Sequence, residues 1–118
     1  MIRAQELRIG NFVMVNGEIE EICGICEDYP FLNTIKYGAC VVEYKDLDPI
    51  PLTEEWLIGF GCEVYEFDHK ENQYRIAERL IVIRDGFFYE YGTSIKLQYV
   101  HTFQNLIFAL TQEELKLN

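Results

Sequence analysis

The chain has 118 residues, enough for one domain or for two small subdomains that share a core. Apolar residues make up 49% and aromatic residues 14%, which supplies a packed interior and argues against disorder. With 10 basic against 20 acidic residues the net charge is −10, a field that repels phosphate backbones, so direct nucleic-acid binding is not expected.

The acids concentrate early: residues 1–55 hold 11 acids and 4 bases, and residues 56–118 hold 9 and 6. Solubility accounts for such a charge, and a basic protein partner is compatible with it. No run approaches the roughly 18 apolar residues of a membrane span. Met1-Ile2-Arg3-Ala4-Gln5-Glu6 has no apolar core for a signal peptide, so the expectation is a soluble, cytoplasmic protein.

Leu7 to Val15 reads as a lead-in and a first strand. Asn16-Gly17 is the preferred pair for a type I′ turn, because both positions need φ > 0. Glu18-Ile19-Glu20-Glu21-Ile22 is then the return strand. Ile19 and Ile22 break the two-residue period, and a bulge near Glu20-Glu21 would bring both to one face and add twist. Asp28-Tyr29-Pro30 marks a turn, Phe31-Leu32 a short strand, and Tyr37 to Tyr44 a further strand. Pro49 and Pro51 cannot donate ladder hydrogen bonds, which makes Asp48 to Leu52 an extended connector or edge. Several short strands with tight turns, opened by Gly10-Asn11-Phe12-Val13, are similar to a small SH3-like barrel.

Thr53-Glu54-Glu55-Trp56-Leu57-Ile58 starts a short helix: Thr53 caps it, two glutamates sit at the positive end of its dipole, and Gly59 and Gly61 end it. It reads as a hinge or plug between the halves, anchored by Trp56. Val64 to Phe67 and Tyr74 to Ile76 are strands around a polar turn, Asp68 to Asn72. Asp85-Gly86 joins Leu80 to Arg84 with Phe87 to Tyr91 and pairs Ile83 with Phe88 and Val82 with Tyr89. Both faces of that hairpin are largely apolar, which predicts cover on both sides. Ile95 to Tyr99 alternates as a last strand.

Tyr99 to Leu110 carries the one sustained helical repeat, with Phe103, Leu106, Ile107 and Leu110 on one face. His101, Gln104, Asn105 and Gln112 lie opposite, and Phe108 falls among them. Either the helix is sandwiched between two layers or Phe108 contacts another chain. Thr111-Gln112-Glu113-Glu114 has capping-box spacing for a last short turn.

Chemistry has few candidates. Cys23-Gly24-Ile25-Cys26, with Cys40 and Cys62, makes four thiols. Zinc sites usually need two close pairs, and no βαβ context supports a redox pair, so small buried hydrophobes are the plainer reading. His69, beside Asp68, Glu66 and Glu71, and the distant His101 are the two histidines, in positions where histidine is ordinary. Ser94 has no neighbouring histidine, and no glycine-rich phosphate loop occurs. No cofactor is expected. The aromatic set Tyr29, Phe31, Tyr37, Tyr44 and Trp56 in the acidic half suits a groove for a basic peptide, and core packing explains it equally well.

In Glu6 to Asn11, Pro49 to Leu57 and Tyr99 to Thr111 the chain resembles a group of small hypothetical proteins from Bacteroidetes genomes, their phages and integrated mobile elements. That resemblance implies a bacterial cytoplasmic setting and a phage or mobile-element role, and it brings no activity, cofactor or catalytic residue. The group has a glycine where this chain has Gln112.

The fold expected is α+β: residues 1–52 form a twisted β subdomain resembling an SH3-like barrel, and residues 53–118 a short helix and an antiparallel β-meander packed on a C-terminal helix. The function expected is non-enzymatic: an interaction module for a basic protein partner, through Tyr29, Phe31, Tyr37, Tyr44, Trp56 and Phe108. The alternatives are a metal- or thiol-dependent enzyme using Cys23, Cys26, His69 or His101, and a structural homo-oligomer component.

Overall fold

A computed structural model describes Ile2 and residues 6–25, 30–34, 38–41, 44–67, 70–84, 86–93 and 95–117. The fold is α+β, with two antiparallel meanders joined by two helices. The first sheet runs in the order β1 (Phe12–Val15), β2 (Glu18–Ile25), β3 (Pro30–Thr34) and β4 (Gly38–Val41). Asn16 and Gly17 take φ of 51° and 80°, so the expected hairpin turn forms and pins Val15 opposite Glu18.

From there to Phe12 opposite Glu21 the pairing is unbroken, and the expected bulge at Glu20-Glu21 does not occur. The register shifts instead between Ile22 and Gly24 in the β2–β3 pairing, where glycine has no side chain to obstruct it. Ile19 and Ile22 therefore take opposite faces. Ile22 is buried, Ile19 stays exposed, and Glu20 shares the buried side. Desolvation there, and then the neighbouring Glu18, push the Glu20 carboxyl up from its ordinary range.

The strand expected from Tyr37 to Tyr44 is Gly38–Val41, and Tyr44 belongs to a 3-10 turn, Tyr44–Asp46. The chain then returns to the free edge of β1, where Met14 and Asp48 exchange backbone hydrogen bonds of 2.9 and 2.8 Å. That contact is a single bridge, so among the described residues the sheet is not closed into a barrel.

Residues 49–52 are extended, as the prolines require, and Pro51 bridges to Tyr99. Helix α1 (Glu54–Gly59) follows, with the Thr53 hydroxyl accepting from the Trp56 N–H and Gly61 at φ 95° behind its end. The second sheet has the order β5 (Glu63–Phe67), β6 (Lys70–Ile76), β7 (Arg79–Arg84), β8 (Phe87–Glu90) and β9 (Lys96–Leu97). β6 starts earlier than expected, so residues 70–72 are strand rather than turn. Ile83 pairs with Phe88 and Val82 with Tyr89, the expected register. The β7–β8 hairpin is nevertheless covered on one face only. Ile81 is in the core, with Ile83 and Phe88 packed against it, whereas Phe87 is exposed.

Helix α2 (Val100–Thr111) spans both sheets. Val100, Phe103 and Ile107 enter the larger core with Leu57, Phe60, Tyr74, Ile81 and Leu97. Tyr74 donates its hydroxyl to Glu54, tying β6 to the first turn of α1. A smaller core of Ile2, Leu7, Val13, Ile22 and Leu47 lies behind the first sheet. β1 separates the two: Val13 faces the smaller, while Phe12 and Met14 pack on the larger. An apolar residue at every position of that strand is what burial on both faces demands.

Leu110, expected on the apolar face of α2, is exposed, while His101 and Gln104 on the polar face are buried. The polar face is the seam with the N-terminal segment. Gln104 accepts from the Phe12 N–H at 2.8 Å and donates to the Gly10 carbonyl at 2.9 Å. Asn105 accepts from Arg8 Nε and Asn11 Nδ2 at 3.0 and 2.8 Å and donates to the Glu6 carbonyl. Arg8 also pairs with Glu114 at 2.6 Å, and its guanidinium lies 4.0 Å above the Phe108 ring. The helix is thus sandwiched between two layers. Gly10 sits at φ 100°, where a side chain is strained, and a Cβ there would stand 3.1 Å from the Glu114 carboxyl, which would have to shift by a few tenths of an ångström. No turn starts at Thr111. Gln112 takes the left-handed conformation at φ 60° and stops the helix.

Candidate functional site

Among the described residues of the expected aromatic set, Trp56 combines a fixed position with an open environment. Its ring packs 5.6 Å from Phe12 and 5.7 Å from Phe60, and Phe60 leans in turn on Phe103 at 5.9 Å. These contacts hold the indole against β1 and the end of α1, and connect it to α2 through Phe60. The half-buried ring lines a shallow depression with Ile19, Glu55 and Leu117. Ile19 is 52% and Leu117 45% exposed, so two apolar side chains stand open beside the anchored tryptophan. Leu117 lies across Gly59, whose absent Cβ would meet it at 3.3 Å. Glu21 shares the strand face of Ile19, two residues on, and both Glu21 and Glu55 are exposed.

The other described members of the set, Tyr44 and Phe108, do not converge on this place. Tyr44 packs on the smaller core, and Phe108 lies under Arg8 on the far side of α2. Tyr29, Tyr37 and the side chain of Phe31 fall outside the described residues. Ile19, Leu117, Glu21 and Glu55 were missed by sequence reasoning. The signal for Ile19 was its three-residue spacing from Ile22, which places one of the two outside unless a bulge intervenes.

Of the thiols and imidazoles, Cys23, Cys62 and His101 lie among the described residues. Cys23 is exposed at the register shift of β2, and Cys62 is buried. Burial pushes the Cys62 thiol up to about 12, which keeps it protonated and a poor nucleophile. His101 is buried and stacked on the Tyr99 ring, 5.8 Å between centroids and 9° between planes. Burial lowers its pKa from 6.5, with Glu6 opposing the shift, and among the described residues its Nδ1 has no hydrogen-bond partner. Cys26, His69, Ser94 and the side chain of Cys40 lie outside the described residues. Among the described residues no three His, Cys, Asp or Glu side chains converge as ligands, and no helix is long and apolar enough to cross a membrane. No family model, characterised protein or solved structure matches the chain.

Proposed function

We propose that the protein is a non-enzymatic, cytoplasmic interaction module that docks a basic protein partner on the depression around Trp56. The observation that carries this reading is the anchored indole flanked by exposed Ile19 and Leu117, with the Glu55 carboxylate lining the depression and exposed Glu21 two residues along the strand from Ile19. A rigid aromatic ring with apolar neighbours supplies the desolvated centre of an interface, and a rim of carboxylates selects a cationic partner. The likeness of the first sheet to an SH3-like barrel belongs to the same proposal. Its support is the four-strand meander, the 3-10 turn and the return of Asp48 to β1. So does kinship with the small proteins of Bacteroidetes, their phages and mobile elements. The three segments behind that resemblance meet in the fold, where Pro51 bridges Tyr99 and Arg8 and Asn11 bind Asn105.

The test is a pull-down from host lysate at low and high salt, read by mass spectrometry, with wild type beside Ile19→Lys and Leu117→Lys. Both positions are exposed, so both variants should fold. A basic protein should be retained at low salt, released at high salt, and retained about tenfold less by either variant. Retention indifferent to salt and to both substitutions would sink the proposal.

A further inference from the structure

The second sheet has one buried and one open face, and the strand register sorts its side chains between them. Tyr65 lies opposite Gln73, Arg75 opposite Leu80, Val82 opposite Tyr89, and Arg84 opposite Phe87, all on the open face. Among the described residues the exposed large aromatics are Tyr65, Phe87 and Tyr91, at 38%, 40% and 68% exposure, and all three belong to this face. Leaving aside Phe31 and Phe67, whose side chains fall outside the described residues, the aromatic rings elsewhere among the described residues are at least half-buried, so the concentration here asks for a reason.

The rings alternate with cations. Lys96 Nζ sits 3.4 Å from the centroid of Phe87, and the Arg84 guanidinium 4.3 Å from that of Tyr89. Arg84 is also held by donating to the Thr93 carbonyl at 2.9 Å. Two shallow depressions mark the face, and each pairs a tyrosine with arginine: Tyr65 with Arg75 in one, Tyr91 with Arg84 in the other. Among the described residues of this face carboxylates are fewer. Glu63 is engaged by the Tyr65 hydroxyl at 3.0 Å, and Glu78 stands at the β6–β7 turn beside Arg79. Against the chain's net charge of −10, the described residues of this face thus set Arg75, Arg84 and Lys96 beside Glu63 and Glu78.

We propose that this open face binds single-stranded nucleic acid, with bases stacked on Tyr65, Phe87 and Tyr91 and phosphates paired with Arg75, Arg84 and Lys96. Exposed rings on a sheet offer stacking area that every base can use, and guanidinium planes extend it. A duplex keeps its bases stacked on one another and has none to offer these rings. An acidic peptide would satisfy the cations and leave the rings unused. The face is separate from the Trp56 depression, and neither proposal depends on the other.

The experiment is fluorescence anisotropy of a labelled single strand of about 15 nucleotides, titrated with the full chain at several salt concentrations. Duplex and polyglutamate serve as competitors. Three neutralised phosphates should give a log–log salt slope of about −2, and Lys96→Ala should reduce it by about 0.7. Tyr91→Ala and Phe87→Ala, at exposed positions, should each weaken binding about tenfold. No binding up to about 100 µM at low salt would overturn the proposal. So would binding that the three substitutions leave unchanged, or equal competition by duplex or polyglutamate.

Discussion

Gln104 has no exposed surface, although its neighbours in sequence gave it the look of a solvated helix position. Both ends of its amide are committed to backbone: the oxygen to the Phe12 N–H, the nitrogen to the Gly10 carbonyl. Leucine would fill the same space and leave that donor and that acceptor buried without partners. Gln104→Leu should therefore cost about 2–6 kcal/mol, from roughly 1–3 for each of the two stranded groups, read as a lower midpoint in urea unfolding. His101 gives a second expectation at this scale, with a definite sign. Burial holds its folded pKa below the ordinary 6.5, so as pH falls the unfolded chain takes up the proton first. Its contribution to stability is whole above about 6.5 and drains away below that. Urea midpoints measured from neutral to mildly acid pH should show this decline, and His101→Phe should flatten it. None of these partnerships was legible in the sequence. Local pattern distinguishes apolar from polar, but not a polar face that meets water from one that meets a backbone some 90 positions away.

Elements were more legible than residues, because their causes are local. The Asn16-Gly17 hairpin, the Ile83–Phe88 pairing, the Thr53 cap and the α2 repeat all formed as their short-range chemistry requires. The departures arise where a choice depends on a neighbour. β2 places its irregularity at the β3 side because the tight turn already fixes its register with β1. The β7–β8 hairpin looked fit for cover on both faces because rings count as core in any composition argument. An exposed aromatic and a buried one are the same letter. At the end of α2, Gln112 holds a backbone conformation that favours glycine. Gln112→Gly should relieve that strain and raise stability by about 0.5–1 kcal/mol, less whatever the freer unfolded chain recovers. A thermal melt should show a rise of a few degrees, and a fall would mean that the Gln112 side-chain contacts to the Phe108 and Ala109 carbonyls matter more.

Across the whole molecule, the two candidate surfaces differ in how far the sequence could point to them. Trp56 stood out as a lone tryptophan behind a helix cap, and its anchoring role follows from that position. The open sheet face is assembled from strands whose residues alternate between core and surface, so its chemistry becomes visible only after register has sorted them. The seam has a consequence for how the fold is reached. Each sheet is a meander whose strands meet their neighbours after short loops, contacts that close quickly. The seam is different: Gln104 meets Gly10 across 94 positions, and Arg8 meets Glu114 across 106. Loop-closure entropy sets such encounters behind the local ones. During synthesis both meanders emerge before α2 does, and the apolar surface between them stays wet until that helix arrives to close it.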